Sequence, residues 1–207
     1  MRKLELVAAA TLALLGTTAY AKTTIVYAGR VITDASKPAQ GQSTITITDD
    51  RITSIAPGRT EAPAGAEVVD LGDKTLLPGL IDLHVHLTGD PGDDYRGAAV
   101  DPNEWGVVVG AKNAGITLRA GFTTVREAGS AQYTAYSLRR GTANGFIEGP
   151  RIVAAGPSLS IIGGHGDVTG FREDIHAVLD EGYTCTGAVE CAEKVRKASR
   201  AGADVIK

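Results

Sequence analysis

From Leu77 to Leu87 the chain reads Leu-Pro-Gly-Leu-Ile-Asp-Leu-His-Val-His-Leu, a Pro-Gly turn followed by an apolar run that carries two histidines. A short apolar run after such a turn is typical of a buried strand. Because successive side chains of a strand point to opposite faces, Asp82, His84 and His86 share one face. Two imidazoles at one strand end are candidate metal ligands, and Asp82 is a candidate structural or supporting group.

The residues around the two histidines narrow this interpretation. His-x-His alone occurs in many unrelated proteins, in which the rings only hydrogen-bond to nearby backbone. The longer string Leu-Pro-Gly-Leu-Ile-Asp-x-His-x-His resembles the first barrel strand of the amidohydrolase superfamily of metal-dependent hydrolases. The resemblance implies that His84 and His86 bind a metal ion.

Strand-like and helix-like segments are arranged differently before and after this run. Strands rich in β-formers are predicted before it, at residues 23–33, 43–48, 51–55 and 67–71, with a hairpin turn at 49–50. After it, residues 88–101 are predicted to form a loop. Strands are then predicted at 122–126, 151–155 and 203–207, and helices at 103–120, 133–143 and 189–200. This alternation favours a parallel sheet with helical crossovers.

The predicted fold class is α/β, the first half of a TIM-type (β/α)₈ barrel preceded by a small β-sandwich segment that the family resemblance implies. The expected organisation is a signal peptide at 1–21, the N-terminal part of the sandwich domain at 22–75, and four β/α units of a hydrolase barrel at 76–207. A doubly wound sheet is disfavoured because no Gly-rich phosphate loop follows the first strand. A barrel needs about 250 residues, so we expect these 207 residues to belong to a longer protein.

Charge and the first residues bear on partners and compartment. The net charge of −3 shows no basic excess, so nucleic acid is not an expected partner. Arg2 and Lys3 precede an apolar core at 6–15 and the small-residue site Ala19-Tyr20-Ala21. The core is too short to span a bilayer, and the order of features is typical of a secretory signal rather than of a buried helix. We expect a periplasmic or secreted protein without membrane association after cleavage.

Two cysteines, Cys185 and Cys191, are the only ones in the chain. Export to an oxidising compartment favours a disulfide between them, and two free thiols are the alternative. A zinc site is less consistent with the pair, because the spacing is not C-x₂-C and no histidine lies close by.

Lys207 ends the last predicted strand, so its side chain is expected at the same barrel mouth as the two histidines. A buried lysine has a lowered pKa, and its neutral amine can react with carbon dioxide to form an anionic carbamate. The string Gly-Ala-Asp-Val-Ile-Lys resembles the strand-four segment of amidohydrolases in which a carboxylated lysine bridges two metal ions. The resemblance implies this role for Lys207; a solvent-exposed lysine is the alternative.

A glycine-rich loop at 161–167 carries His165 to the same rim, where it is a candidate substrate-binding residue or a histidine satisfied by backbone. Its Gly-Gly-His-x-Asp string resembles amidohydrolases related to imidazolonepropionase, which include Xaa-Pro dipeptidases, carboxypeptidases for basic residues and ochratoxin-type amidases. Arg126 is expected to pair with Glu127 rather than with a substrate carboxylate. No function is assigned to His176.

Together, these features predict a metal-dependent amidohydrolase that cleaves an amide bond in a dipeptide or N-acyl amino acid through a metal-activated hydroxide. The implied cofactors are two divalent metal ions, with Zn²⁺ expected, and carboxylated Lys207. No catalytic residue beyond these ligands is assigned. The expected partner is a small-molecule or dipeptide substrate, and a homo-oligomer is compatible with the sequence. The alternatives are a cyclic-amide hydrolase and a non-catalytic barrel that binds a ligand.

Overall fold

The computed structural model of the protein describes residues 21–92, 95–131 and 133–207. The chain divides between Pro78 and Gly79 into two compact units. The predicted signal peptide at 1–21 lies, apart from Ala21, outside the described residues. Within the described ranges, no helix has the length and apolar character needed to cross a membrane.

The first unit contains a four-stranded mixed sheet. Its strands are β1 (Thr23–Val31), β2 (Ser43–Thr48), β3 (Arg51–Pro57) and β4 (Glu67–Leu76), in the order β3-β2-β1-β4. β1 pairs antiparallel with β2 and parallel with β4, and β2 and β3 form the predicted hairpin. Asp49 takes the left-handed conformation in its turn, which a short polar side chain tolerates. Val26, Ala28 and Ile45 form the centre of the apolar core of this unit.

The second unit contains a three-stranded parallel sheet covered by two helices. Its strands β5 (Leu80–Val85), β6 (Phe122–Glu127) and β7 (Arg151–Ala154) lie in sequence order. Helices α2 (Trp105–Arg119) and α3 (Thr134–Ala143) connect them. One buried cluster joins strand residues to helix residues, including Val125 and Ile152 from the sheet and Ala114 and Leu138 from the helices. Because the three strands are parallel, their carboxyl ends lie at one edge of the sheet.

An irregularity in β5 changes the predicted alternation. Asp82 pairs with Val125 and Val85 pairs with Glu127, so β5 carries one residue more than β6 over this stretch. The Asp82 carboxylate accepts the His84 amide at 3.0 Å within this bulge. Bulges next to functional sites redirect side chains. This bulge includes His84 and lies directly before His86, so the two rings have different neighbours.

The predicted loop at 88–101 and the connection after β7 contain short regular elements. Helix α1 (Tyr95–Val100) forms within 88–101 because its alanines favour a helix once the Gly- and Pro-rich turn has ended. The connection after β7 contains β8 (Ser160–Ile161), α4 (Glu173–Leu179) and β9 (Thr184–Cys185). Two acidic residues in the first turn of α4 complement the helix dipole.

The predicted fourth strand at 203–207 is wrong as an assignment of secondary structure. Helix α5 (Gly187–Ala201) ends at Gly202, which takes the left-handed conformation, and the following residues form no regular ladder. The Asp204 amide donates to the Ala154 carbonyl, but the Asp204 carboxylate accepts the Ala154 amide. A side chain thus replaces a backbone partner, which is how aspartate competes with sheet pairing.

Cys185 and Cys191 are joined by a disulfide, with their Cα atoms 5.1 Å apart. The bond ties β9 to the first turns of α5, the helix that leads to Lys207.

Candidate metal centre

His86 follows β5 directly, and a backbone carbonyl fixes its ring. Its Nδ1 lies 2.9 Å from the carbonyl oxygen of Gly129, in the turn after β6. A carbonyl can only accept, so Nδ1 carries a proton, and in the neutral ring Nε2 then has the lone pair. Gly129 also allows this close approach, because a Cβ there would lie 3.0 Å from Cε1 of His86 and 2.7 Å from the Ser158 hydroxyl. His86 is therefore prepared to bind a cation through Nε2.

The structure brings His84 and Lys207 together, although 123 residues separate them in the chain. Nζ of Lys207 lies 3.1 Å from Nε2 of His84, and the ring centroids of His84 and His86 are 5.4 Å apart. The positive charge of Lys207 lowers the pKa of His84, and desolvation, His86 and Arg126 add to the effect. A lowered pKa favours the neutral imidazole, which is the form that binds metals.

A clamp of backbone and side-chain hydrogen bonds places Lys207. Asp204 bonds to both the amide and the carbonyl of Ala154, at 2.9 and 2.8 Å, and its carboxylate also pairs with Arg139. Arg139 donates to the Gly202 carbonyl at 3.0 Å, and the Leu159 amide donates to the Lys207 carbonyl at 2.8 Å. These contacts carry the end of the segment to the edge of the sheet where the histidines lie.

Glu127, the last residue of β6, is a buried carboxylate that the sequence analysis missed. It accepts the amides of Leu87, at 2.5 Å, and Gly129, yet its other oxygen has no hydrogen-bond partner. That oxygen lies 3.8 Å from Nδ1 of His86. Burial raises the pKa of Glu127 to about 7, against the lowering effect of the two amides. The signal for it was its position two residues after Val125, on the core face of the strand.

The expected pair between Arg126 and Glu127 does not form. Neighbouring residues of a strand face opposite ways, and Glu127 is buried while Arg126 is exposed. Arg126 instead donates through Nε to the Leu83 carbonyl at 2.6 Å. It lines a small pocket together with His84 and Lys207, so it contributes positive charge to that side of the site.

His165 lines a cavity of about 320 Å³ that His86 also lines, together with Ser130, Tyr183 and Glu181. Asp167 supports its loop by accepting the Gly163 amide at 2.7 Å, and His176 contacts the same carboxylate at 3.1 Å. These bonds and the His176 imidazole lower the pKa of Asp167. His176, which received no function from the sequence, thus supports the loop that presents His165.

The residues present fit part of a divalent metal site. Neutral imidazole nitrogens are ligands that zinc prefers, and a lysine becomes a ligand once its charge is removed or replaced by a carbamate. Among the described residues, no group of three or more His, Cys, Asp and Glu side chains could hold a metal. His84, His86 and Lys207 therefore form an incomplete ligand set, beside which Glu127 contributes an unpartnered buried oxygen.

The sequence of the chain is similar to a known protein family and to individual members of it. The model of the amidohydrolase family matches residues 75–207. The chain is 31% identical over 211 residues to ochratoxinase of Aspergillus niger, covering 90% of this chain and 42% of that protein. It is 47% identical over 64 residues to an allantoinase of Streptomyces avermitilis, covering 30% of this chain and 13% of that protein.

The fold is also similar to solved structures. A Xaa-Pro dipeptidase crystallised with methionine in its active site superimposes with a TM-score of 0.77 at 31% identity. The superposition covers 89% of this chain and 46% of the dipeptidase. The chain thus spans less than half the length of the relatives it matches.

Proposed function

Because the chain belongs to the amidohydrolase family, we propose that it supplies the first metal ligands of a hydrolase that cleaves an amide bond in a dipeptide or N-acyl amino acid. The convergence of His84, His86 and Lys207 at the ends of a parallel sheet supports this proposal most directly. Active sites gather at this edge in barrels of parallel strands.

Each of the three residues has a distinct part. His86 offers Nε2 because the Gly129 carbonyl accepts Nδ1–H, and His84 lies beside Lys207, whose Nζ is 3.1 Å from Nε2 of His84. In the proposal, the Lys207 ammonium releases one proton to become a neutral amine, and its reaction with carbon dioxide releases a second proton and gives an anionic carbamate. This carbamate would serve as a metal ligand together with His84 and His86. When bound, divalent ions polarise the scissile carbonyl and lower the pKa of water.

The cavity beside His86 is the proposed binding region for the substrate. His165 lies on an exposed loop there and can donate to a carbonyl or carboxylate of a bound molecule. Arg126 lies on the other side, next to His84, and provides a cation for a carboxylate. A substrate with a free carboxylate next to a scissile amide matches these donors.

The proposal extends to the whole protein. The three parallel strands of the second unit are the first strands of a (β/α)₈ barrel, and the sheet of the first unit is part of a β-sandwich. The protein is exported, as residues 1–21 predict, and works in the periplasm or outside the cell.

The test is hydrolysis by the full-length, zinc-loaded protein. A panel should include dipeptides, N-acyl amino acids, cyclic ureides and amidines, with each product quantified by mass spectrometry. We expect turnover of dipeptides or N-acyl amino acids, and blocking the free carboxylate as an ester should reduce it. Turnover of the cyclic compounds alone would replace the proposal with the cyclic-amide alternative. Absence of turnover together with absence of bound metal would favour a non-catalytic protein.

A further inference from the structure

Glu127 occupies a place that a structural carboxylate rarely occupies. Its side chain is fully buried in the face of β6 that packs into the apolar core, next to Val125. Burying a carboxylate is costly unless hydrogen bonds or a nearby cation compensate for its lost hydration. The contacts of Glu127 therefore indicate what it does.

The Glu127 carboxylate connects the two segments that determine the position of His86. It accepts the amide of Leu87, the residue directly after His86, at 2.5 Å. Glu127 also accepts the amide of Gly129, whose carbonyl receives Nδ1 of His86 at 2.9 Å. Both the backbone that carries the ring and the carbonyl that orients it are thus anchored to Glu127.

The second oxygen has a different environment. It has no hydrogen-bond partner, and it lies 3.8 Å from Nδ1 of His86. A negative charge on the Nδ1 side of an imidazole favours the tautomer with the proton on Nδ1 and makes Nε2 a better donor to a cation. The unpartnered oxygen therefore lies on the Nδ1 side of the His86 ring. A cation bound to Nε2 would lie on the opposite side of the same ring.

We propose that Glu127 is a positioning residue for His86: its carboxylate anchors Leu87 and Gly129 and holds the His86 ring in the Nδ1–H tautomer, so that Nε2 is presented to the metal. The inference rests on the proposed metal centre for the identity of the cation. The tautomer and orientation of the ring are properties of the chain itself and can be measured without metal.

Two substitutions separate anchoring from charge. Glu127→Gln keeps an oxygen that can accept the two amides, but it replaces the unpartnered oxygen with an NH₂ group facing Nδ1. Glu127→Ala removes both the oxygen that accepts the amides and the charge that faces Nδ1. Glu148→Gln is the matched control, since Glu148 is an exposed partner of Arg119 at 2.9 Å.

The measurements are zinc affinity, by competition with a chelator, and the nitrogen shifts of labelled histidines in the metal-free, full-length protein. For Glu127→Gln, we expect zinc binding about 10- to 100-fold weaker than in the wild type, with the His86 signals moving away from a pure Nδ1–H tautomer. Glu148→Gln should match the wild type in both. Because a structural role alone would not move the tautomer, that readout is decisive.

The outcomes distinguish the inference from the proposed function. Wild-type zinc affinity and an unchanged His86 tautomer in Glu127→Gln would overturn the inference, even if Glu127→Ala were destabilised. If the wild-type protein bound no zinc, the proposed function would fail, and the histidine spectrum alone would decide whether Glu127 positions the ring.

Discussion

Single residues around His86 determine whether its ring can act as a ligand. Gly129 provides the carbonyl that fixes the tautomer and, lacking a side chain, the space in which the ring lies. The string around His84 and His86 identified both rings as candidates, because motif and strand position agree. Glu127 was missed because its charge was assigned to an ion pair with Arg126, although its position two residues after Val125 places it on the core face of the strand.

Gly129→Ala should therefore weaken metal binding. The added Cβ would lie 3.0 Å from Cε1 of His86 and 2.7 Å from the Ser158 hydroxyl, so the ring must move. We expect about a tenfold loss of zinc affinity, measured by competition with a chelator. Gly41→Ala is the control, because a Cβ at Gly41 would meet nothing within 4 Å. Equal zinc affinity in the two variants would exclude the steric role of Gly129.

Secondary-structure elements bring the candidate ligands together from distant parts of the sequence. The alternation of strands and helices predicted the parallel order of β5, β6 and β7. It did not predict the bulge in β5, because a bulge depends on pairing with the neighbouring strand. The alternation also did not predict that residues 203–207 lack a strand ladder. The apolar residues there are typical of a strand, but the Asp204 side chain takes the place of a backbone partner for the Ala154 amide.

Asp204→Asn tests the clamp that places Lys207. The neutral side chain keeps an oxygen for the Ala154 amide but loses its ion pair with Arg139. Because this pair is partly exposed, we expect a loss of only about 1 kcal/mol in the free energy of unfolding. Zinc stoichiometry should also fall, because Lys207 is less well placed.

The control for this clamp is Asp174→Asn, which removes an exposed ion pair with Arg172, the residue directly before α4. Calorimetric unfolding and metal analysis of both variants give the comparison. If Asp204→Asn keeps the zinc content of the wild type, the clamp has no part in forming the metal site.

The whole protein is predicted to be exported, and its two cysteines are predicted to be oxidised. A disulfide ties β9 to α5 in the structure, whereas residues 1–20 are outside its described ranges. The chain divides between Pro78 and Gly79, and in the sequence β-formers precede the histidine strand while α/β alternation follows it. The site could be anticipated only in part, since the described residues supply an incomplete ligand set.

Exported protein should begin at Lys22, after the Ala-x-Ala site. Intact mass of the protein isolated from the periplasm or medium measures this directly. Isolated protein that retains Met1 would contradict the signal-peptide prediction.

The disulfide should persist in the exported protein and stabilise it by about 2 kcal/mol, the chain-entropy effect of closing a short loop. Unfolded protein without reductant should not react with an alkylating agent, and reduced protein should react at both cysteines. Alkylation of both without reductant would show that the thiols are free in solution. Cys185→Ser with Cys191→Ser should unfold at lower denaturant concentration than the wild type.

The most direct test of the metal centre is the zinc content of the full-length protein with and without the Lys207 side chain. We predict about two zinc ions per wild-type chain, while Lys207→Ala loses bound zinc and most activity and partly regains both when a short carboxylic acid is added. His165→Ala should keep its zinc and lose mainly substrate affinity or turnover. Full zinc occupancy and near-normal turnover in Lys207→Ala would contradict the account and leave His84 and His86 as ligands of a one-metal site.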